Sequence, residues 1–231
     1  MDNQKYLWGI SQKEDGQMKV SPGDIVSQEN RIKFFGKLQL DPNRVVSAGL
    51  VHGDNVAVVG EENFGQKIVN VDGLITSAPN VILTISIADC LPLYFFDNVN
   101  QVLGLAHAGW RGVSQEIAIK MLDKMMLEFG TSPEDVCVEI GPHIKDCHFE
   151  VDEDVAQQFS DYQEQISKKG EKSLINLSGI VREQLRKRGV KEENINISEE
   201  CTYCLKEKYY SFRRDKPTQV EAMVAYVLKR G

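Results

Sequence analysis

The stretch LPLYFFDNVNQVLGLAHAGWRG, residues 91–112, decides the fold of this 231-residue chain. Two apolar runs, 92–96 and 102–107, flank the turn-forming residues 97–101, so the stretch predicts a β-hairpin. Beyond it, apolar residues recur every four positions from Ile117 to Phe129, which predicts a helix that ends at Gly130. The chain therefore changes from sheet to helix where HAGWRG brings an imidazole, an indole and a guanidinium together.

Short strand-like and helix-like segments alternate along the rest of the chain, without internal repeats or a Pro/Gly-rich linker. This pattern predicts a mixed α/β fold in a single layered domain, residues 1–231, with a mixed sheet flanked by helices. Polar residues 157–172 are expected to form a helix end and a surface loop. The other predicted elements are strands at 45–59 (interrupted at Gly53), 81–88, 136–140 and 220–228, and helices after Asp152 and at 177–188.

The composition is that of a soluble globular protein, with 42% hydrophobic and 26% charged residues. A net charge of -7 gives the surface no general attraction for nucleic acid or an anionic membrane. The polar N-terminal stretch lacks the features of a signal peptide, and no apolar run is long enough to span a membrane, so a cytoplasmic protein is expected. Because disulfides are rare in that compartment, the 5 cysteines are expected to include metal ligands or a nucleophile and not to form disulfides.

The hairpin also predicts which side chains meet. If its turn is centred near residues 98–100, facing residues have numbers that sum to about 197–199, and Cys90 with His107 sums to 197. Facing residues have Cβ atoms ~4.5–5.5 Å apart, which suits either two ligands of one metal ion or a thiolate–imidazole catalytic pair. A chance meeting of two half-buried residues is the simpler alternative. It is weakened by Asp89 and Arg111, which flank the pair and are costly to bury without partners.

A third ligand would complete a catalytic zinc site with one open position. His52, in LVHGDNV, is one candidate, but spacing alone does not favour it over His143. A second cysteine and histidine set, His148-Phe-Glu150 with Cys201-x-x-Cys204, superficially matches zinc nucleobase deaminases. It lacks the proline before the first cysteine, so we interpret the C-x-x-C as two packing cysteines, with a redox pair as the alternative.

Seven motifs occur in an order that resembles one known family. The chain is similar to the laccase-domain proteins, also called multicopper polyphenol oxidase-like proteins, whose members are regarded as purine nucleoside phosphorylases that also deaminate adenosine. The resemblance runs from about His52 to Asp215, and ADCLP followed by HAGWRG is its most specific part. The motifs are VHGDNV (51–56 in this chain), DGLIT (72–76), ADCLPLYFFD (88–97), LAHAGWRG (105–112), EIGPHIKDCHFEV (139–151), CTYC (201–204) and YYSFRRD (209–215).

The resemblance implies a mixed α/β fold and a zinc site formed by His52, Cys90 and His107. It also implies action on adenosine, inosine and methylthioadenosine with phosphate, while the older oxidase name implies copper, which the same residues can bind. Near the N-terminus the chain departs from the family, because residues 10–23, ISQKEDGQMKVSPG, lack its threonine-arginine segment and following glycine pair.

Each proposed reaction needs specific side chains. Deamination needs water activated by zinc for attack on C6 of the purine and a carboxylate to move the proton, for which Asp89 is the first candidate and Asp72 and Glu150 are weaker ones. Phosphorolysis needs a cation to hold phosphate, and Arg111 is the first candidate because a guanidinium forms two parallel hydrogen bonds to phosphate. Cys90 is placed with Asp89 and Arg111 among the catalytic residues. The predicted substrate-binding residues are Trp110, Arg111, His143, Arg213 and Arg214.

Three classes of function remain open from the sequence. The first is the zinc-dependent nucleoside enzyme, with a copper-dependent polyphenol oxidase as its variant. The second is a metal-free cysteine hydrolase or deamidase that uses Cys90 as nucleophile and His107 as base. The third is a non-enzymatic partner protein that retains the fold.

Overall fold

The computed structural model describes residues 5–19 and 23–231, which form a mixed α/β fold of three sheets with helices. The strands in these ranges are β1 Tyr6–Ile10, β2 Val45–Gly49, β3 Val56–Val58, β4 Lys67–Val69, β5 Gly73–Thr76, β6 Ile82–Ile87, β7 Leu91–Asp97, β8 Val102–Ala108, β9 Val136–Ile140, β10 Glu150–Val151, β11 Ile166–Lys169, β12 Lys172–Ile175, β13 Ile195–Ile197 and β14 Met223–Lys229. The α-helices are α1 Ile25–Lys37, α2 Trp110–Ser114, α3 Ile117–Phe129, α4 Glu153–Gln157, α5 Leu177–Lys187 and α6 Phe212–Asp215.

Two large sheets carry the fold. The first has the order β13-β9-β7-β8-β5-β3 and the second the order β1-β14-β6-β2-β4, while β10-β12-β11 is a small separate sheet. One apolar cluster joins the facing sides of the two large sheets, a second packs α3 and α5 onto the outer side of the first, and a third packs α1 onto the second. The layers therefore run helix, sheet, sheet, helix, with the β7–β8 hairpin near the centre.

The central position of the hairpin explains its composition. Leu93 and Phe95 of β7 face the helix-side cluster, whereas Tyr94 and Phe96 face the cluster between the sheets. Both faces of the strand are therefore buried, and a strand buried on both faces is apolar at every position instead of at alternate ones. This is why LPLYFF reads as a continuous apolar run.

The mixed α/β class is confirmed, as are the predicted hairpin and the strands at 82–87, 136–140 and 223–229. Gly130 ends α3 in the left-handed conformation with φ 67°, as a glycine after a helix is expected to do. The expected sheet is divided into two stacked sheets and a small third one. The helix predicted from Ile117 to Phe129 is confirmed as α3, and Glu116, with a left-handed φ of 60°, separates it from the short helix α2.

One local expectation was wrong, because residues 157–172 include strand β11, which pairs with β12, in place of a simple surface loop. The hairpin register pairs Pro92 with His107, so facing residues sum to 199, within the expected range. Cys90 itself lies one step beyond the strand, level with Gly109, and does not face His107. Cys90 thus approaches His107 along a diagonal of the ladder and not directly across it.

In the described ranges, none of the helices combines the length and apolar character required to cross a membrane.

Candidate metal centre

Three side chains from separate elements converge at one end of the hairpin. His52 lies in the loop after β2 with a left-handed φ of 60°, Cys90 lies between β6 and β7, and His107 lies near the end of β8. Their ligand atoms lie within 4.8 Å of one another. His107 is buried, Cys90 is partly buried and His52 is exposed, so the cluster is closed by protein on one side and open to solvent on the other.

Asp72, the residue before β5, holds this arrangement together. Its buried carboxylate lies 2.9 Å from His107 Nδ1 and accepts hydrogen bonds from the backbone N–H groups of Val51, His52 and Gly53 at 2.9–3.1 Å. A carboxylate only accepts hydrogen bonds, so Nδ1 of His107 carries a proton and Nε2 is the ring nitrogen that remains for a metal ion. Such a carboxylate–histidine contact is the usual support of a metal-binding imidazole.

The pair Cys90 and His107 is electrostatically coupled. Burial opposes ionisation of the Cys90 thiol, but the neighbouring His107 and His52 outweigh it and lower the pKa of Cys90 to about 6. Burial likewise opposes the charged form of His107, but Cys90 and Asp72 outweigh it and raise the pKa of His107 to about 9. The site therefore favours a thiolate at neutral pH, which is the form of cysteine that binds metals and attacks electrophiles.

The cluster opens into a cavity of about 600 Å³. Its lining includes the aliphatic residues Leu50, Ile144 and Leu177 and the aromatic residues Phe149 and Phe212. Polar groups reach it from Lys19, Asp89, Arg111 and Arg213. A cavity of this volume, mostly apolar with a few convergent polar groups, is typical of a small-molecule site.

Asp89 lines the cavity, but its carboxylate is already engaged. Oδ1 accepts a hydrogen bond from the Thr202 hydroxyl at 2.6 Å, and Oδ2 accepts from the Ser211 hydroxyl at 3.0 Å and the Arg213 backbone N–H at 2.7 Å. The residue itself takes a left-handed φ of 85°. Asp89 therefore fixes the backbone beside Cys90, and its expected part in proton transfer stays a prediction.

Arg111 and Trp110 lie side by side on the wall. The exposed guanidinium of Arg111 lies 4.2 Å from the centre of the half-buried Trp110 ring, and Trp110 also packs against the core. In the residues that the structure describes, no carboxylate forms an ion pair with Arg111. The charge of Arg111 is therefore available to an anion in the cavity, while the Trp110 ring packs against the Arg111 guanidinium.

The two arginines of YYSFRRD have different positions. Arg213 lines the cavity, although its guanidinium also donates to the Glu150 carbonyl. Arg214 is absent from the cavity wall, because its guanidinium donates to the carbonyls of Thr202, Tyr203 and Tyr209 and pairs with Asp215. Arg214 organises the loop, and nothing in the geometry supports its expected contact with substrate.

His143 lies behind the cavity wall and not on it. The buried ring donates from Nδ1 to the Gly141 carbonyl at 2.7 Å, and Nε2 has no hydrogen-bond partner. Burial and the nearby Lys145 lower the pKa of His143 to about 3, so the ring is neutral. The geometry does not bring His143 to the metal ligands or to the cavity, and its predicted role in substrate binding gains no support.

A second cluster contains residues that the sequence analysis compared with zinc nucleobase deaminases and then interpreted as packing cysteines. Cys147, His148, Cys201 and Cys204 place their ligand atoms within 4.8 Å of one another. The sequence gave no indication that Cys147 joins His148 and the C-x-x-C. Sequence reasoning also missed Lys19 and Phe212 on the cavity wall. Lys19 belongs to the divergent segment 10–23, of which residues 20–22 lie outside the described residues.

Comparison with known proteins places the chain in a family. Residues 17–228 match the family model described as multi-copper polyphenol oxidoreductase laccase. The chain belongs to this family. Among its laccase-domain relatives is purine nucleoside phosphorylase YlmD of Geobacillus stearothermophilus, 32% identical over 221 residues that cover 90% of this chain and 79% of the relative. Purine nucleoside phosphorylase YfiH of Escherichia coli is 31% identical over 195 residues, which cover 83% of this chain and 76% of the relative.

Solved structures of the laccase-domain family have the same fold. The crystal structure of YlmD from G. stearothermophilus matches with a TM-score of 0.93 at 29% identity, covering 98% of this chain and 93% of that one. A Bacillus licheniformis hypothetical protein YfiH matches with a TM-score of 0.89 at 27% identity, covering 98% of this chain and 94% of that one. The resemblance of the sequence motifs to this family is therefore confirmed.

Proposed function

We propose that this chain is a zinc-dependent purine nucleoside phosphorylase that acts on adenosine, inosine and methylthioadenosine and also deaminates adenosine. The observation that carries the proposal is the meeting of His52, Cys90 and His107 at a cavity that Arg111 also lines. The relatives named purine nucleoside phosphorylase, at 31% and 32% identity, support the same activity.

The donor set of the cluster fits zinc. Two imidazoles and a thiolate are ordinary zinc ligands, and three protein ligands leave one position for substrate or water, as in catalytic sites. The exposed side of His52 provides that open direction. Held by these three residues, zinc would supply a Lewis acid to a substrate in the cavity that they line. Two imidazoles and a thiolate also suit copper, so metal analysis of the purified protein identifies the ion.

Phosphorolysis requires phosphate to attack C1′ of the ribose as the bond between C1′ and the purine breaks. We assign the phosphate to Arg111, whose exposed guanidinium has no carboxylate partner among the described residues and can form two parallel hydrogen bonds to it. Arg213 and Lys19 add positive charge to the same wall. The bond pair leaves with the purine, which then takes up a proton.

The purine itself needs an apolar surface. Because Arg111 lies over the ring of Trp110 and Arg213 lies over the ring of Phe149, we assign the base to the ring of Phe212, which also lines the cavity. Phe212 is 51% exposed, so its ring is accessible to a ligand in the cavity. For deamination, Asp89 is the one residue with a carboxylate among the described residues that line the cavity, so we assign proton transfer to it.

Product analysis tests the proposal. Zinc-loaded protein is given adenosine or inosine with and without phosphate, alongside His107→Ala and the control Arg186→Ala, an exposed arginine paired with Glu192. We expect free base only with phosphate, inosine from adenosine in either case, and loss of both products in His107→Ala alone. Absence of turnover with any of these nucleosides contradicts the proposal and favours a non-enzymatic role.

A second candidate, the metal-free cysteine hydrolase or deamidase, has one observation in its favour. The coupling of Cys90 with His107 produces the thiolate and imidazolium that such enzymes use. The two candidates differ in their response to a chelator. Chelation abolishes activity if zinc is required, whereas activity that survives chelation and is lost on alkylation of Cys90 supports the hydrolase.

A further inference from the structure

The second cluster lies where two loops meet, outside the cavity. Cys147 and His148 belong to the segment between β9 and β10, and Cys201 and Cys204 belong to the CTYC turn after β13. Cys147 Sγ lies 3.8 Å from both Cys201 Sγ and Cys204 Sγ, and His148 Nδ1 lies 3.1 Å from Cys147 Sγ and 3.4 Å from Cys204 Sγ. All three cysteines are free thiols.

These distances match a zinc tetrahedron better than they match packing or a disulfide. With Zn–S near 2.3 Å, the sulfur–sulfur edges of a tetrahedron are about 3.8 Å, and with Zn–N near 2.05 Å the nitrogen–sulfur edges are about 3.5 Å. A disulfide would bring two sulfur atoms to about 2.05 Å. Two of the cysteines, Cys147 and Cys204, are exposed, which is unusual for thiols that serve only to fill a core.

The surrounding contacts orient the donors toward a common point. The His148 ring stacks on Tyr203 with centroids 3.9 Å apart and planes at 15°, which directs Nδ1 at the sulfur atoms. The backbone N–H of Lys145 donates to Cys201 Sγ at 3.5 Å, and the turn that presents Cys204 is closed by a hydrogen bond from Leu205 N to the Cys201 carbonyl at 3.0 Å. Contacts of this kind support the ligands of metal sites.

We propose that Cys147, His148, Cys201 and Cys204 bind one zinc ion in a closed structural site that is distinct from the centre at His52, Cys90 and His107. The ion takes three thiolates and one neutral imidazole, and each thiol releases its proton to solvent as the zinc–sulfur bond forms. Four protein ligands fill the tetrahedron, so the ion has no position for substrate and its role is mechanical.

The proposed zinc site is connected to the cavity through hydrogen bonds to Asp89. The backbone N–H of Ile144, three residues before Cys147, donates to the Asp89 carbonyl at 2.9 Å, and Thr202, next to Cys201, donates to the Asp89 carboxylate at 2.6 Å. An ion that links the two loops therefore holds both sides of the residue that precedes Cys90. Loss of the ion is expected to loosen the wall at Ile144 and Phe149, and to speed hydrogen exchange at the amides of Ile144 and Thr202.

Zinc content of protein purified without chelator is the first test. We expect two zinc ions per chain in the wild type, one in Cys147→Ser/Cys204→Ser, one in His107→Ala, and two in the control Cys137→Ser, a cysteine outside both clusters. If the first centre holds no zinc, the wild type contains one ion and the double variant none, which still supports this proposal. An unchanged zinc content in the double variant overturns it.

X-ray absorption on the Cys90→Ser variant is a second test that does not depend on the double variant being folded. This substitution leaves the four proposed ligands intact. The zinc bound to that protein should show three sulfur neighbours near 2.3 Å and one nitrogen. Zinc with only nitrogen and oxygen neighbours contradicts the proposal. So does a disulfide among Cys147, Cys201 and Cys204 in the freshly purified wild type, detected by peptide mass spectrometry without reductant.

Discussion

The Nδ1 atom of His107 lies 2.9 Å from Oδ1 of Asp72, and both side chains are buried. The other hydrogen bonds to this carboxylate come from the backbone of the loop that carries His52. One aspartate therefore sets the tautomer of one proposed ligand and the loop conformation of another. This couples the two ends of the centre without a direct bond between the two histidines.

Asp72→Asn is predicted to weaken zinc binding by about 10- to 100-fold, the usual cost of losing a carboxylate behind a metal-binding histidine. The amide leaves only one oxygen for four donors, so the His52 loop also loses hydrogen bonds. Chelator competition measures the affinity. Asp97→Asn is the matched control, because Asp97 is equally buried and accepts backbone N–H groups but contacts none of the proposed metal ligands. Equal affinities in the two variants would argue against this role of Asp72.

The hairpin register explains why a glycine stands at position 109. Cys90 lies level with Gly109, and a Cβ placed there would be 3.1 Å from Cys90 Sγ and 3.3 Å from His52 Cδ2. Contacts that short require the neighbouring atoms to move. The absence of a side chain at Gly109 therefore leaves room for the Cys90 thiol and the His52 imidazole.

Gly109→Ala is predicted to displace Cys90 and His52 by a few tenths of an ångström, to lower zinc affinity on the order of tenfold and to destabilise the fold by about 1–3 kcal/mol, as overpacking does. Chelator competition and urea denaturation measure the two effects. Gly36→Ala is the control, because a Cβ on Gly36 in α1 would meet nothing within 4 Å. That change should stabilise the protein by about 0.5–1 kcal/mol and leave zinc affinity alone. Normal zinc binding by Gly109→Ala would refute the packing argument.

The sequence was sufficient for what depends on local pattern. Apolar runs and turn formers gave the hairpin, and the hairpin alone brought Cys90 near His107, although Cys90 lies level with Gly109 and not directly opposite His107. Periodicity carries no information about contacts between distant segments. For this reason the choice of His52 required the family resemblance, and the contact of Asp72 with His107, 35 positions apart, was not foreseen.

The presence of a charged or titratable residue in a motif did not predict whether its side chain reaches the cavity. Arg213 and Arg214 are neighbours in the sequence, yet only Arg213 reaches the cavity, because the carbonyl groups of a folded loop surround Arg214. His143 shows the same limitation, since a histidine near a motif was instead buried against the Gly141 carbonyl. The cysteines at 201 and 204 were placed together correctly, but their partners come from a segment more than fifty positions away.

Acid should remove the stabilisation that Asp97 gives the hairpin turn. Burial opposes ionisation of this carboxyl, but hydrogen bonds from Asn100 and Val99 outweigh it and lower the pKa of Asp97. A folded pKa below the unfolded one, ~3.9, means that the contribution is complete above about pH 5 and disappears as pH falls through the lower folded pKa.

The free energy of unfolding of the wild type is therefore predicted to exceed that of Asp97→Asn by a constant amount above about pH 5, and the difference is predicted to shrink below about pH 4. Urea denaturation of both proteins across this range measures it. Comparison at each pH cancels the effect of metal release, which both proteins share. A difference that stays constant down to about pH 3 would show that the carboxylate charge does not contribute.

Arg111→Ala is predicted to raise the KM for phosphate by about 10- to 100-fold, because a hydrogen bond to a charged group contributes about 1.5–3 kcal/mol. Phosphorolysis should fall more than deamination, since only phosphorolysis uses phosphate, and Arg111→Lys should lie between the wild type and the alanine variant because it keeps the charge but loses the planar fork. Steady-state kinetics at varied phosphate measure this, with Arg186→Ala as the control. An unchanged KM for phosphate in Arg111→Ala would move the phosphate site away from Arg111, and Arg213 and Lys19 on the same wall would be the next residues to replace.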